Sequence, residues 1–219
     1  MTVFDAIHTD WAESRERHGS FASPGWGFEV AKRLLDLVGA LLALVLFSPV
    51  LLFAATWVKC TDGGPVFYRQ TRVGRDGKHF LIWKLRTMRT DAERHGPQFA
   101  TDNDPRIVRG CAWMRASHID ELPQLLNIIR GEMSLVGPRP ERPEFIDQLR
   151  EELPHIDRRL AGTPGITGLA QVVNGYTNDL DGMRRKLDLD LHYLERRSIG
   201  MDIRLILKTF PRFWDRSAC

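Results

Sequence analysis

LVGALLALVLFSPVLLFAATWV, residues 37–58, holds no charged side chain and carries Ser48-Pro49 near its centre. About 20 apolar residues suffice to cross a bilayer core, so this stretch is long enough to do so. A helix that is apolar all round needs burial all round, which a soluble domain rarely supplies. Membrane attachment follows from the stretch itself, but its topology does not. Lys32 and Arg33 precede it, and Lys59, Arg69, Arg72, Arg75 and Lys78 follow. Positive charge marks the cytoplasmic side of a span, and here both flanks carry it. A mid-helix proline removes a backbone donor and crowds the carbonyl one turn back. A neighbouring serine can satisfy the group so freed. Two readings stay open on these residues: a proline-kinked spanning helix, or a helix that breaks at Ser48-Pro49 and leaves by the face it entered.

The remainder suits one domain beside that anchor. The chain has 219 residues, and the stretch after Val58 is long enough for a single compact core. A net charge of +3 and a pI near 8.9 are mild. They fit a protein that lies against anionic lipid or handles phosphates. No nucleic-acid motif is present, so nucleic acid is not an expected partner. Cys60, Cys111 and Cys219 are widely spaced, without a CxxC pair. That argues against a zinc site or disulfide framework and for a reducing compartment. The apolar stretch starts too far in, and lacks a small-residue cleavage site, to be a removable signal.

In order, residues 1–28 read as a polar lead-in, with Phe21, Trp26 and Phe28 suited to the headgroup level. Residues 29–59 form the membrane helix and 60–219 the folded domain. Residues 65–70 and 80–83 read as strands of a small hairpin turning at Asp76-Gly77. A helix is expected over 119–130, where apolar residues recur at 122, 125, 126 and 129 and Gly131 stops it. The proline-rich 133–143 cannot be helix. Short helices are expected over 145–153 and 181–197, with a turn into a strand over 163–173. Residues 203–214 mix apolar, aromatic and basic residues, which suits a helix lying in the membrane interface and equally one docked onto the domain core.

Three groups of residues could carry chemistry. Adjacent side chains on a helix point about 100° apart, so Asp120 and Glu121 could divide roles. One could be a nucleophile while the other orients a metal or proton. Arg115 and His118 lie just ahead, and a cation there would keep Asp120 ionised. An acidic pair that merely stabilises a helix start explains the same residues. Pro138-Arg139-Pro140 fixes a backbone around one guanidinium, whose planar fork suits phosphate. A rigid turn with an exposed arginine is the plainer reading. Pro164-Gly165-Ile166-Thr167-Gly168 offers glycines for close approach to a ligand. No P-loop, dinucleotide-binding GxGxxG or zinc-spaced set is present.

Taken together, KRLLDL, the apolar Ser-Pro stretch, GPVFYRQTRVGRDGKHFLIWKLRTM, SHIDELPQLLNIIRGEMSLVGPRPERP, TPGITGLAQV and DLDLHYLERRSIGMDIRLILKTF closely resemble the bacterial sugar transferases of the monotopic polyprenyl-phosphate phosphoglycosyl transferase family. The resemblance covers about residues 29–210. It implies an α+β fold: a membrane re-entrant helix-break-helix hairpin, broken at Ser48 and Pro49, with a small, mostly helical catalytic domain. That domain would carry a short β-hairpin and amphipathic interfacial helices. It also implies transfer of a sugar-1-phosphate from a nucleoside-diphosphate sugar, usually a UDP-sugar, to undecaprenyl phosphate, releasing UMP. Such a step initiates exopolysaccharide, O-antigen, capsule or glycoprotein glycan assembly. By resemblance Asp120 is the nucleophile that forms a phosphosugar intermediate, and Glu121 assists it and a Mg²⁺ site to which only Asp120 is assigned. Arg115 and Arg139, with its flanking Pro138 and Pro140, are implied phosphate-binding positions; Lys84 and Arg86 of the basic hairpin are placed with them, although a solvated basic face beside the membrane is the plainer reading of that hairpin. The implied setting is the cytoplasmic face of the bacterial inner membrane, with membrane lipid as a partner. Oligomeric state stays open, with a homodimer in view. Leu169 departs from the tryptophan frequent at its position. The long multi-helix N-terminal half of larger relatives does not precede these motifs, so the sequence reads as close to a minimal catalytic unit.

Overall fold

Helix α1 (Trp26–Asp62) takes in the whole apolar stretch as one element, with Pro49 inside it. The computed structural model describes residues 25–94, 96, 104–174 and 180–209. The lead-in up to residue 24, with Phe21, and the aromatic end of the last expected helix, 210–214, lie outside them. The expected helix-break-helix thus takes the form of a single helix here, because what a proline disrupts is local. Pro49 lacks the N–H that would reach the Val45 carbonyl, and Ser48 Oγ donates to that carbonyl at 2.8 Å instead. Gly63 closes the helix at φ 71°, its N–H bonded to Lys59 O.

The helix is buried at both ends and bare between them. Lys32, Asp36 and Ala40 are buried near its start, and Ala54 and Val58 near its end; each set is spaced by four residues and so lies along one face. Leu41, Leu42, Val45, Leu46, Leu52 and Phe53 between them are exposed. From Ala40 to Ala54 the helix rises roughly 21 Å. Its charged residues are docking groups. Arg33 donates to Ile128 O and Ile129 O at 2.6 and 2.7 Å. Lys32 Nζ lies 2.7 Å from the fully buried Asp202 and 3.0 Å from Val136 O. Asp36 accepts Ser134 Oγ and Leu135 N, both at 2.9 Å. At the far end, Trp57 Nε1 donates to Gly110 O at 2.9 Å, and Asp62 pairs with Arg86. Each buried charge has a partner, which is the condition for keeping it out of water.

The domain is mostly helical, as expected, with two small sheets. β1 (Phe67–Val73) and β2 (His79–Leu85) pair antiparallel from Val73↔His79 to Phe67↔Leu85. The turn uses Asp76 and Gly77 at φ 57° and 74°, the dipeptide that such a conformation favours. β3 (Ser134–Val136) and β4 (Gly165–Thr167) form a short parallel pair that no periodicity announced, since three residues show none. The helices are α2 (Ala112–Ala116), α3 (Leu125–Arg130), α4 (Pro143–Glu152), α5 (Leu169–Asn174), α6 (Leu180–Arg196) and α7 (Ile199–Thr209).

Two local expectations change. The helix expected over 119–130 begins as a 3₁₀ helix, Ile119–Gln124. His118 enters it at a left-handed φ of 55°, and Pro123 has no N–H to give an α-helical first turn. The turn and strand expected over 163–173 give the short strand β4 and then helix α5. Its Leu169 and Ala170 bury against Val136, Leu189, Tyr193 and Leu205, so packing overrides the β-branched Val172 and Val173. A second core, of Ile82, Leu125, Ile128 and Met133, closes on Ala40 of α1.

Candidate active site

Strand β2 and the Ile119–Gln124 turn meet edge-on, and the contact is fixed by one buried amide. Asn127 Nδ2 donates to Leu81 O at 2.8 Å, and its Oδ1 accepts Trp83 N at 3.1 Å. The side chain therefore continues the hydrogen bonding of β2 as a short strand would. Lys84, the next residue along, is thereby set beside Glu121, Nζ to Oε1 2.7 Å. Arg139 reaches the same carboxylate with both terminal nitrogens, at 2.6 and 3.2 Å. Glu121 is thus held by two cations across both oxygens. Burial alone would raise its pKa, but Arg139 and Lys84 outweigh it and keep the group well below the carboxylate range.

Asp120 is placed differently. It is buried, and among the described residues no cation forms an ion pair with it. Lys84, Arg115 and Arg139 act on it only through space, and burial prevails, lifting its pKa to about 6. The two adjacent carboxylates therefore have divided roles: one is locked and one is open. Arg115, on α2, extends past Thr87, 3.5 Å from its Oγ1, and holds Asp120 down electrostatically. Lys84, Arg115 and Arg139 give three cations around two acids. That surplus would attract an anion of higher charge, as a diphosphate is.

The loop carrying Arg139 is pinned from behind. Gly137, Gly165 and Gly168 bring β3, β4 and the loop together so closely that a Cβ on Gly165 would lie 2.1 Å from Gly137 N, and one on Gly168 2.2 Å from Gly137 O. These glycines thus approach backbone, where the sequence suggested approach to a ligand. Pro138 O accepts Gly165 N at 2.9 Å, and Pro140 O accepts Arg72 at 3.0 Å. Arg159 bonds Arg139 O at 2.9 Å and Asp190 at 2.7 Å. Glu141 sits among Lys186, Arg159 and Arg72; Lys186 and Arg159 outweigh its burial and hold its pKa low. Both prolines are buried and their carbonyls are occupied, so they brace the loop and leave the guanidinium as the projecting group.

Of the sequence-derived positions, Asp120, Glu121, Lys84, Arg115 and Arg139 converge. Arg86 lies elsewhere: its guanidinium clamps Asp62 at the end of α1 and Pro65 O, tying β2 to the membrane helix. Ser48 and Pro49 lie far along α1, in its exposed middle. Asn127, Arg72, Arg159, Glu141 and Asp190 were not anticipated. Asn127 left one signal, a lone polar residue among Leu125, Leu126, Ile128 and Ile129.

For a divalent cation, the donors fit a shared site rather than a cage. Among the described residues no group of three or more His, Cys, Asp or Glu could hold a metal. Glu121 is engaged by cations, which leaves Asp120 as the open oxygen donor. Mg²⁺ is commonly held by one or two carboxylates together with substrate phosphates and water, and Asp120 fits that mode.

The family model described as bacterial sugar transferase matches residues 28–216. The chain belongs to the bacterial sugar transferase family. Among the relatives of this sugar transferase is the UDP-N-acetylgalactosamine-undecaprenyl-phosphate N-acetylgalactosaminephosphotransferase of Aeromonas hydrophila, 39% identical over 95% of this chain and 49% of its own length. The UDP-glucose:undecaprenyl-phosphate glucose-1-phosphate transferase of Caulobacter vibrioides is 41% identical over 86% of this chain and 71% of its own length. The exopolysaccharide production protein PSS of Rhizobium leguminosarum bv. phaseoli is 42% identical over 82% of this chain and 93% of its own length. The chain thus spans about half of the first of these relatives and nearly all of the last.

Proposed function

We propose that this sugar transferase moves a sugar-1-phosphate from a UDP-sugar to undecaprenyl phosphate in two displacements at one site. The observation that carries the reading is the division of the acidic pair: Glu121 locked by Lys84 and Arg139, Asp120 buried and open. In the first step an Asp120 oxygen attacks the β-phosphorus of the donor. The bond to the bridging oxygen breaks, UMP leaves, and an aspartyl phosphosugar remains. In the second, an oxygen of the lipid phosphate attacks the same phosphorus and Asp120 departs as carboxylate. Phosphoryl transfer asks chiefly for positioning and charge neutralisation. Arg139, Lys84 and Arg115 supply the cations. Mg²⁺, held by Asp120, would neutralise diphosphate charge when bound.

The relatives' names support the acceptor and the kind of donor. The decisive experiment follows UMP. With purified enzyme and Mg²⁺, sustained UMP release requires undecaprenyl phosphate, and without lipid only about one equivalent per enzyme is released, with label retained on protein. Equal steady release with and without lipid would mean hydrolysis.

The membrane placement belongs to the same proposal. Both ends of α1 dock on one folded body, through Lys32, Arg33 and Asp36 at the start and Trp57 and Asp62 at the end. A helix crossing to the far side would pull one of its ends away from that body. The reading is a monotopic enzyme on the cytoplasmic face, its exposed middle turns sunk in one leaflet. Single cysteines introduced near positions 20 and 75 of a cysteine-free chain should both react with an impermeant maleimide only from the cytoplasmic side. Labelling near position 20 from the outer side would restore a spanning helix.

A further inference from the structure

Cross-strand partners in an antiparallel pair point to the same face of the sheet, so the register of the hairpin assigns its two faces. Tyr68 lies opposite Lys84, Gln70 opposite Ile82 and Arg72 opposite Phe80. Lys84 Nζ touches Glu121 at 2.7 Å, so this is the face of β1 turned to the acidic pair. Opposed side chains start about 5 Å apart, which sets the Tyr68 ring beside Lys84. That ring is 37% exposed, while Lys84 and Glu121 are mostly covered. Glu93, in the turn after β2, is fixed over the same face. Gln70 Nε2 donates to it at 3.2 Å, and Arg142 reaches both its oxygens, at 2.7 and 3.2 Å. Gln70 Oε1 in turn accepts Arg72 at 2.7 Å, and Arg72 holds the Pro140 carbonyl. A continuous chain of hydrogen bonds therefore ties Glu93 to the loop that presents Arg139.

Glu93 is oriented but not used up. Its side chain stands 39% open, and a carboxylate has about four acceptor positions. Burial first, and the Glu93 carboxylate second, push the Tyr68 phenol up, so its O–H remains a donor. A half-open aromatic face beside a fixed carboxylate suits a neutral polyhydroxyl ring: C–H groups rest on the π face and hydroxyls donate to the acid. The same acid repels phosphate. In the proposed reaction the hexose stays on the attacked phosphorus through both displacements, while UMP leaves and the lipid phosphate takes its place. We propose that Tyr68 and Glu93 form the subsite for the hexose of the donor, the tyrosine ring supporting the pyranose and the carboxylate accepting its hydroxyls. The inference rests on the transferase reading and names the residues that discriminate among its donors.

Full-length enzyme is compared with Tyr68→Ala, Tyr68→Phe and Glu93→Gln, with Tm measured on each. First-step kcat/KM is read from the UMP burst with UDP-glucose, UDP-galactose and UDP-N-acetylgalactosamine, and UMP is titrated as an inhibitor. Tyr68→Ala and Glu93→Gln should each lower kcat/KM for the best donor about 10- to 100-fold and narrow the spread between donors. The UMP inhibition constant should not move, and Tyr68→Phe should keep most of the rate. If Glu93→Gln fails to fold, the Tyr68 pair decides alone, since that ring is half exposed. A loss that preserves the ratios between donors would make the pair a support of the fold. Weaker UMP inhibition in parallel would assign the subsite to the ribose or base. No loss with any donor would also overturn it. A wild-type enzyme that gives no burst with any donor and no labelled protein would instead sink the transferase reading.

Discussion

Asp120→Asn will lose capture of labelled phosphosugar completely, and turnover will fall by about 10⁴-fold or more, the scale seen when a covalent nucleophile is removed. The fold should survive, because the carboxylate has no ion pair among the described residues and its removal strands no buried cation. Stability separates this loss from misfolding. Burial lifts the Asp120 pKa to about 6 from its ordinary value of 3.8, so the folded state binds this proton more tightly than the unfolded chain does. Its stabilising contribution is complete below about pH 4 and is lost as pH rises through about 6. At pH 7.5 the wild type therefore carries a desolvated charge that asparagine lacks, and the variant's Tm should be equal or higher. A carboxylate acting as nucleophile must be ionised, so on the proposed mechanism first-step kcat/KM should also fall on the acid side of about pH 6. Added Mg²⁺ should move that limb to lower pH by favouring the carboxylate. Residual capture of label by the variant, located on another residue, would remove Asp120 from the role.

Arg139→Ala should lower kcat/KM for the nucleotide-sugar about 10²- to 10³-fold, the effect of deleting one preorganised donor group on developing phosphate charge. The same change leaves Glu121 with Lys84 alone. Because the Arg139 side chain is only partly buried and Lys84 stays in place, the cost to stability should be about 1–3 kcal/mol. Arg139→Lys should recover stability more than activity. An ammonium can neutralise Glu121, but it cannot reproduce two parallel bonds from a planar fork. Donor kinetics on the three proteins, read beside their denaturant midpoints in detergent, distinguish the two functions. Unchanged kcat and KM in Arg139→Ala would show that the arginine serves only to brace Glu121.

The site was legible in outline and illegible in its supports, for a reason visible in particular residues. Asp120 and Glu121 are adjacent acids at an expected helix start and Arg139 stands between two prolines, so they stand out in one dimension. Asn127, Arg72, Arg159 and Asp190 act through contacts with residues distant in sequence: Arg159 meets Asp190 and the Arg139 carbonyl, and Asn127 meets β2. A charged residue in an amphipathic helix such as α6 looks the same in sequence whether it faces water or a buried partner. Arg86 shows the converse. It was named with Lys84 as a phosphate-binding position, but side chains two apart share a strand face only while the strand lasts. β2 ends at Leu85, and Arg86 turns away to Asp62.

By itself the sequence determined that this chain carries a membrane helix, a hairpin turning at Asp76-Gly77, and a proline-braced arginine downstream of an acidic pair. Those features depend on local physics: hydrophobic length, φ preferences and the missing proline donor. Tertiary structure alone decided which acid is open and which is locked, because that depends on where Lys84 and Arg139 arrive. It also decided that Lys32 and Arg33, which read as charges flanking a membrane segment, are docking groups, together with Asp36, with partners in the folded domain. Ion pairs and desolvation are set by distances through space, and the order of residues along the chain does not contain them.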